Sequence, residues 1–267
     1  MSWSVKKRYS SSLTDAQWKV LASKLPESMV KRKRKWALKL VFDAILYVLK
    51  NGVVWDDLPK DFPPHDTVYY YFKTWRDQGL FELLNMEMSG DFRQRKGRER
   101  SPSAGIIDSQ SSKSVAISHE NTGFDAGKKV KGRKKHIIVD TLGLLLVVLV
   151  HPANVQDRDG ARMLFERLWE NRFDFPRLKT FFADGGYAGQ LLDWLHKTTK
   201  RWSIQIVKRT DPHAFKILPK RWVVERTFAW LDWSRRLSKD YERRTDSTEA
   251  FVQLAMIRIL AIRLAEN

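Results

Sequence analysis

Residues 135–150, KHIIVDTLGLLLVVLV, limit the fold more than any other stretch. Apolar residues fill both halves and Asp140–Gly143 supplies a tight turn between them, which predicts a β-hairpin. The aliphatic run at 144–150 is far shorter than the roughly 20 apolar residues a membrane helix needs, and it suits a buried strand. Around this hairpin, AGIIDSQ (104–110) reads as a short apolar strand ending in an acid. DRDGARMLFERLWENR (157–172) is an amphipathic helix, LKTFFADGG the next strand, and QLLDWLHKTTK (190–200) a helix. RWSIQIVK (201–208) is a further strand, and RWVVERTFAWLDWSRRLSKDYE (221–242) a long helix. The order β-β-β-α-β-α-β-α predicts an α/β mixed sheet that begins antiparallel and ends parallel.

Before residue 92 the signals are helical. SLTDAQWKVLASKL (12–25), WALKLVFDAILYVLKNG (36–52), DTVYYYFKTWRDQG (66–79, with Asp66 as cap) and LFELLNMEM (80–88) each carry helical spacing or caps. Short helices with tight turns, beside the basic run Lys31-Arg32-Lys33-Arg34-Lys35, suggest an all-α module of helix-turn-helix type. In the third segment Val68, Phe72 and Trp75 share an inward face, leaving Tyr69, Tyr70, Lys73 and Arg76 for DNA. The basic, polar stretch FRQRKGRERSPSA marks a boundary. The expected division is a helical DNA-binding domain at 1–92, a basic linker at 93–103 and an α/β domain at 104–267.

The formal charge of the 267 residues is +18. It is spread along the chain: 20 Lys and Arg against 12 Asp and Glu in residues 1–100, and 29 against 19 beyond. Such a balance predicts a polyanionic partner for both halves. With no cysteine, disulfides and thiolate metal sites are excluded. The N-terminal MSWSVKKRYS lacks the apolar core of a signal peptide, so an intracellular protein is expected.

Asp108 follows GII and Asp184 follows FFA, each at the end of an apolar strand. Sites in open α/β sheets form at the carboxyl ends of neighbouring parallel strands. Two carboxylates placed together there repel one another unless a cation bridges them, and an oxygen-only donor set suits a hard ion such as Mg²⁺. Gly185 and Gly186 would clear space for metal and phosphate. A third acid, Glu225, lies four residues after Arg221 on one helical face, beside the apolar stripe Val224, Phe228 and Leu231.

The order Asp108, Asp184, Glu225, with ADGGYAG around the second and RWVVERTFAWL around the third, resembles the bacterial insertion-sequence DDE transposases. DAGKKVKGRKKHIIVDTLGLLL (125–146) and HPANVQDRDGA (151–161) are similar to their family-five branch, as are LTDAQWKVLASKLP and WDDLP…TVYYYF to its amino-terminal domain. The resemblance spans essentially the whole chain. It implies an RNase H-like catalytic core, Asp108, Asp184 and Glu225 as a triad holding two Mg²⁺ ions (Mn²⁺ substituting), and binding to the element's inverted repeats. It further implies a cytoplasmic, nucleoid-associated protein acting as a dimer or larger assembly on double-stranded DNA. A signature of Tyr, Arg, Glu and Lys is also implied on the glutamate's helix. Arg221 and Glu225 fit it, but Leu218 stands at the tyrosine position and Asp232 at the lysine position. Eleven residues after Glu225, about 20° from its helical face, Arg236 returns a cation, so Arg236 or Arg235 is expected on a phosphate.

GKKVKGRKKH (127–136) places Lys128, Lys129, Lys131, Arg133, Lys134 and Lys135 between the first two core strands, where they are expected to meet phosphates. Arg221 joins the expected DNA contacts, and Trp202 and Trp222 are candidates to stack on an unpaired base. With no GxxxxGK[ST] loop, the chemistry expected is nucleotide-independent cleavage and strand joining. Two alternatives stand beside it: a catalytically silent DNA-binding regulator derived from a transposase, and a different nuclease on the same fold.

Overall fold

The computed structural model describes residues 9–31, 33–115, 121–207 and 221–266. Five helices come first: α1 (Asp15–Ala22), α2 (Glu27–Lys31), α3 (Leu38–Asn51), α4 (His65–Asp77) and α5 (Leu80–Arg95). Thr14 caps α1 in a reciprocal pair with Gln17, whose side-chain oxygen accepts the Thr14 N–H at 2.9 Å. The expected cap Asp66 does not act as one, because α4 begins a residue earlier, behind Pro64. Val68, Phe72 and Trp75 are buried on its inner face, as their spacing requires.

Helix α5 runs seven residues beyond its expected end, through the stretch expected to begin a linker. Arg93 explains why: its side chain is buried and ion-paired with the fully buried Asp140 at the hairpin turn. Arg100 folds back onto the same helix, 2.6 Å from Glu87 and 2.5 Å from Asp91. A basic stretch that finds buried or paired acids is a strut rather than a tether.

The sheet contains β1 (Ala104–Lys113), β2 (Gly123–Asp125), β3 (Val130–Asp140), β4 (Leu145–Pro152), β5 (Thr180–Ala183) and β6 (Ser203–Ile206). Its order is β2-β3-β1-β5-β6, with β4 also paired to β3. β3 pairs antiparallel with β1, β2 and β4, whereas β1–β5 and β5–β6 are parallel. The sheet is therefore mixed, antiparallel first and parallel last, and the hairpin turns at Asp140–Gly143, where the N–H of Gly143 donates to Asp140 O. Successive strand residues face opposite sides. Ile107, Ile138 and Phe181 meet α6 (Asp157–Glu170) and α7 (Gln190–Thr199), while Ile106, Ile137 and Val139 join the other core.

That second core has no seam. Ile106, Ile137 and Val139 belong to the same buried cluster as Phe42, Phe72 and Phe81 of the N-terminal helices and as Phe251 and Met256 of α9 (Thr245–Ala265). The helical region and the sheet thus share one interior. α9 is buried on nearly every side, its Ser247, Thr248, Glu249 and Gln253 included, so it lacks the one-sided period that marks a surface helix in a sequence. The expected helix 221–242 is shorter than anticipated: α8 spans Trp222–Asp232, and Arg235–Leu237 form a separate 3₁₀ turn.

A helix-turn-helix arrangement is not evident. Among the described residues α1 and α2 are joined by a four-residue turn at 23–26 and α4 and α5 by Gln78–Gly79, and α5 buries Leu80, Phe81, Leu84 and Met88 in the core. Among the described residues no helix is long and apolar enough to cross a membrane.

Candidate active site

The register of the two central parallel strands places the first two acids. Ala104, Gly105 and Ile106 lie opposite Thr180, Phe181 and Phe182, so the same register carried two residues further sets Asp108 against Asp184. β5 ends at Ala183, but β1 continues to Lys113, held from there by β3 alone. Asp108 thus lies inside its strand, contrary to the expectation that it ends it. It lies where the strand loses its parallel neighbour, and that notch opens the sheet beside it.

Asp184 starts a 3₁₀ turn, Gly185–Tyr187, and its Oδ1 accepts the Gly186 N–H at 2.8 Å. The carboxylate therefore caps its own turn with one oxygen and turns the other toward Arg221. A side chain at Gly185 would meet nothing within 4 Å, so the space beyond the acid is open. Asp108 accepts the N–H of Ser109 at 2.7 Å. Burial, reinforced by the negative charge of Asp184, pushes the Asp108 carboxyl up to about 6, against the opposing pull of the Ser109 N–H, Arg221 and Lys128.

Glu225 projects from α8 next to the buried stripe of Val224, Phe228 and Leu231. Arg221, at the start of that helix, links it to the sheet: its Nη2 is 3.2 Å from Asp184 Oδ2 and its Nε 3.8 Å from Glu225 Oε1. A guanidinium thus occupies the position of a counter-ion between two of the acids. Among the described residues no three carboxylates or imidazoles gather into a metal-binding cluster. The donor chemistry nevertheless fits a hard divalent ion. The donors are all oxygens, one carboxyl is half-buried beside a like charge, and a cation of the protein already bridges the other two. Asp232, at the anomalous signature position, accepts from Gln110 Nε2 at 2.9 Å and stands 3.7 Å from Lys135 Nζ. Leu218 lies outside the described residues.

The raised carboxyl gives a test in the metal-free protein. The folded chain keeps a proton on Asp108 up to about pH 6, whereas an unfolded aspartate releases it near its usual value of about 3.9. Its charge therefore lowers stability as pH rises between those values. Asp108→Asn removes that loss, so its melting temperature should exceed that of the wild type at pH 8, with the gain shrinking toward pH 4. Calorimetry showing the same difference at both pH values would contradict the burial of a charged Asp108.

The basic run separates into two groups. Lys128, Lys129 and Lys131 are exposed, and Lys128 Nζ reaches 3.4 Å from Ser109 O beside Asp108. Arg133, Lys134 and Lys135, expected on phosphates, are instead buried, because β3 starts at Val130 and these residues lie in the middle of the sheet. Arg133 donates to Glu242 O at 2.8 Å and Arg243 O at 2.7 Å and pairs with Asp240. Lys134 pairs with Asp157 at 2.9 Å, and Lys135 donates to Leu237 O at 2.9 Å. Two other expected contacts are also corrected. Arg236 is buried against Glu242 at 2.6 Å, since α8 ends before it and the helical-face argument no longer applies. The Arg76 side chain is covered, held by Asp77, Asp246 and Ser247. Arg235, Lys73, Tyr69 and Tyr70 remain exposed. Trp202 is core, 1% exposed, whereas Trp222 is 45% exposed with Arg226 stacked on its ring.

Two family models match the chain: "Transposase DDE domain" over residues 99–260 and "Putative transposase of IS4/5 family" over residues 13–85. A curated relative from Burkholderia cepacia, "Putative transposase for insertion sequence element IS402", is 35% identical over 130 residues. That alignment covers 46% of this chain and 60% of the relative, so the chain spans less than two thirds of that protein's length. No solved structure gives a significant match.

Proposed function

The chain belongs to the DDE-domain transposases of the IS4/5 insertion-sequence family, and we propose that it cleaves the inverted-repeat ends of its element and joins the freed 3′-hydroxyls to target DNA. The observation that carries this reading is the β1–β5 register, which carried two residues on sets Asp108 opposite Asp184, close enough for Asp184 to raise the Asp108 carboxyl, with Arg221 tying Glu225 to Asp184.

Asp108, Asp184 and Glu225 would hold the divalent ions, two Mg²⁺ with Mn²⁺ able to substitute. Bound there, such ions would supply activation of the attacking oxygen and stabilisation of the leaving oxygen in an in-line displacement. The remaining work falls to the chain. Asp108 is fixed by the Ser109 N–H and Asp184 by its own turn, so both acids are pre-aimed. Arg221, between Asp184 and Glu225, is the side chain placed to pair with a phosphate oxygen beside the acids. Lys128, in the turn between β2 and β3 with its Nζ 3.4 Å from Ser109 O, holds the adjacent phosphate. With water as nucleophile the product is a nick ending in 3′-OH; with that hydroxyl as nucleophile the same site exchanges one phosphodiester for another. No covalent protein–DNA bond is needed.

Exposed Lys128, Lys129, Lys131 and Arg235, with Tyr69, Tyr70 and Lys73 on α4, supply the DNA-facing groups of this reading. The net charge of +18 favours the same partner. Cutting two ends together calls for a dimer or larger assembly on DNA.

One observation favours a silent DNA-binding regulator instead: Arg221 already neutralises Asp184 and Glu225. Incubating the protein with supercoiled plasmid that carries the element's ends, in Mg²⁺, Mn²⁺ or EDTA, separates the two. Nicks ending in 3′-OH that require the metal support the transposase. Specific binding without cleavage in any metal supports the regulator, and nicking that persists in EDTA contradicts the carboxylate–metal site.

A further inference from the structure

Behind the acid pair, on the opposite face of the sheet, three buried polar side chains form a single file. His136, His151 and Tyr187 are each at most 2% exposed. His151 Nδ1 lies 3.0 Å from Pro152 O, His136 Nδ1 lies 3.2 Å from His151 Nε2, and His136 Nε2 lies 2.8 Å from the Tyr187 hydroxyl. The direction of every bond follows from one end. A carbonyl only accepts, so His151 carries its hydrogen on Nδ1 and offers Nε2 as acceptor. His136 must then donate from Nδ1, which leaves its Nε2 to accept from Tyr187.

Neutral rings are what this file requires and what burial enforces. Desolvation, with His151 alongside, holds His136 down to about 3, and His151 is lowered for the same first reason. Tyr187 is pushed well above its ordinary value by burial and by the nearby Asp108, Asp157 and Asp184, so its hydroxyl keeps the proton it donates. Gly160 of α6 closes the top of the file: a Cβ there would collide with both imidazoles. The file ends on a carbonyl with no further base, so it cannot pass a proton onward. It can only hold a position.

What it holds is the turn of Asp184. Gly185 and Gly186 are exposed and have no side chains to anchor them, and the first buried anchor after Asp184 is Tyr187. The anchor's partner, His136, pairs across the sheet with Ser109, the neighbour of Asp108. One cross-strand position therefore locates both acids, Asp108 through the β1–β3 pairing and Asp184 through the Tyr187 hydroxyl.

We propose that Tyr187, through His136 and His151, is a positioning residue that fixes Asp184 relative to Asp108 for divalent-cation binding. This rests on the reading of those acids as metal ligands. Second-layer hydrogen bonds of this kind change metal affinity by about 10–100-fold when removed.

Mn²⁺ titration of the full chain, with free Mn²⁺ followed by its electron paramagnetic resonance signal, tests it on the wild type, Asp184→Asn, Tyr187→Phe, His136→Leu and the double variant. Tyr187→Phe keeps the ring and removes only the hydroxyl. It should weaken Mn²⁺ binding about tenfold while DNA affinity stays at the wild-type level. His136→Leu should give a similar loss, and the double variant clearly less than the sum of the two, because the Tyr187 hydroxyl meets His136 directly and has the Ser109 side chain as its other hydrogen-bonding neighbour. Unchanged Mn²⁺ affinity in Tyr187→Phe, where Asp184→Asn has lost it, overturns the positioning role alone. Additive losses in the double variant also overturn it. Wild type and Asp184→Asn binding Mn²⁺ equally would instead remove the metal-ligand reading, and this proposal with it.

Discussion

Asp184→Asn should lower metal-dependent nicking about a thousandfold and leave DNA binding intact. The asparagine retains an oxygen for the Gly186 N–H, so the 3₁₀ turn that begins at this residue keeps its cap. What it loses is the charge opposite Asp108 and the partner of the Arg221 guanidinium. Ligation by a carboxylate contributes several kcal/mol to a metal-assisted displacement, and about 4 kcal/mol is a thousandfold in rate. DNA affinity should hold or rise slightly, because one negative charge leaves the surface next to Arg221 and Lys128. Gel-shift and plasmid-nicking assays run in parallel on both proteins read the two effects separately. Nicking within tenfold of the wild type would show that Asp184 is not a ligand, and loss of binding with the cutting would mean the turn itself had been disturbed.

The residues that were legible in the sequence share a local cause. Asp184 follows a run of apolar residues and precedes two glycines, so a strand end and an open space can be read from nine letters. The inward stripe of α8 and the hairpin turn at Asp140–Gly143 are likewise short-range patterns, and both occur where their spacing places them. What escaped depends on distant partners. β1 runs through Asp108 to Lys113 despite its polar letters, because β3 supplies a hydrogen-bonding neighbour along its whole length. The stretch after Phe92 looks like a linker until Asp140, 47 residues away, receives Arg93. α9 is concealed by its own burial, since a helix covered on nearly all sides has no polar face to set its period. Arg221 was legible as a helical neighbour of Glu225, but its reach to Asp184 needed the fold.

The sharpest of these divisions runs through six cations of one short segment, and it predicts opposite outcomes for neighbouring residues. Arg133→Ala should cost about 3–5 kcal/mol of folding stability, the typical result of breaking a buried ion pair from one side. Asp240 would remain 3% exposed without its guanidinium, and the carbonyls of Glu242 and Arg243 would lose their donors. Those contacts join β3 to the segment between α8 and α9, so the loss should appear as a lower urea midpoint for the whole chain. Replacing Lys128, Lys129 and Lys131 together by alanine should move that midpoint little, because exposed substitutions usually stay within about 0.5 kcal/mol each. The triple variant should instead flatten the salt dependence of DNA binding. Each lost phosphate contact removes about 0.9 from the slope of log affinity against log salt concentration, so three such contacts remove two to three units, roughly. The same two measurements on both variants therefore yield a crossed pattern, stability lost in one and salt dependence in the other. A triple variant that unfolds, or an Arg133→Ala protein that folds normally and loses only DNA affinity, would mean that this strand does not occupy the middle of the sheet.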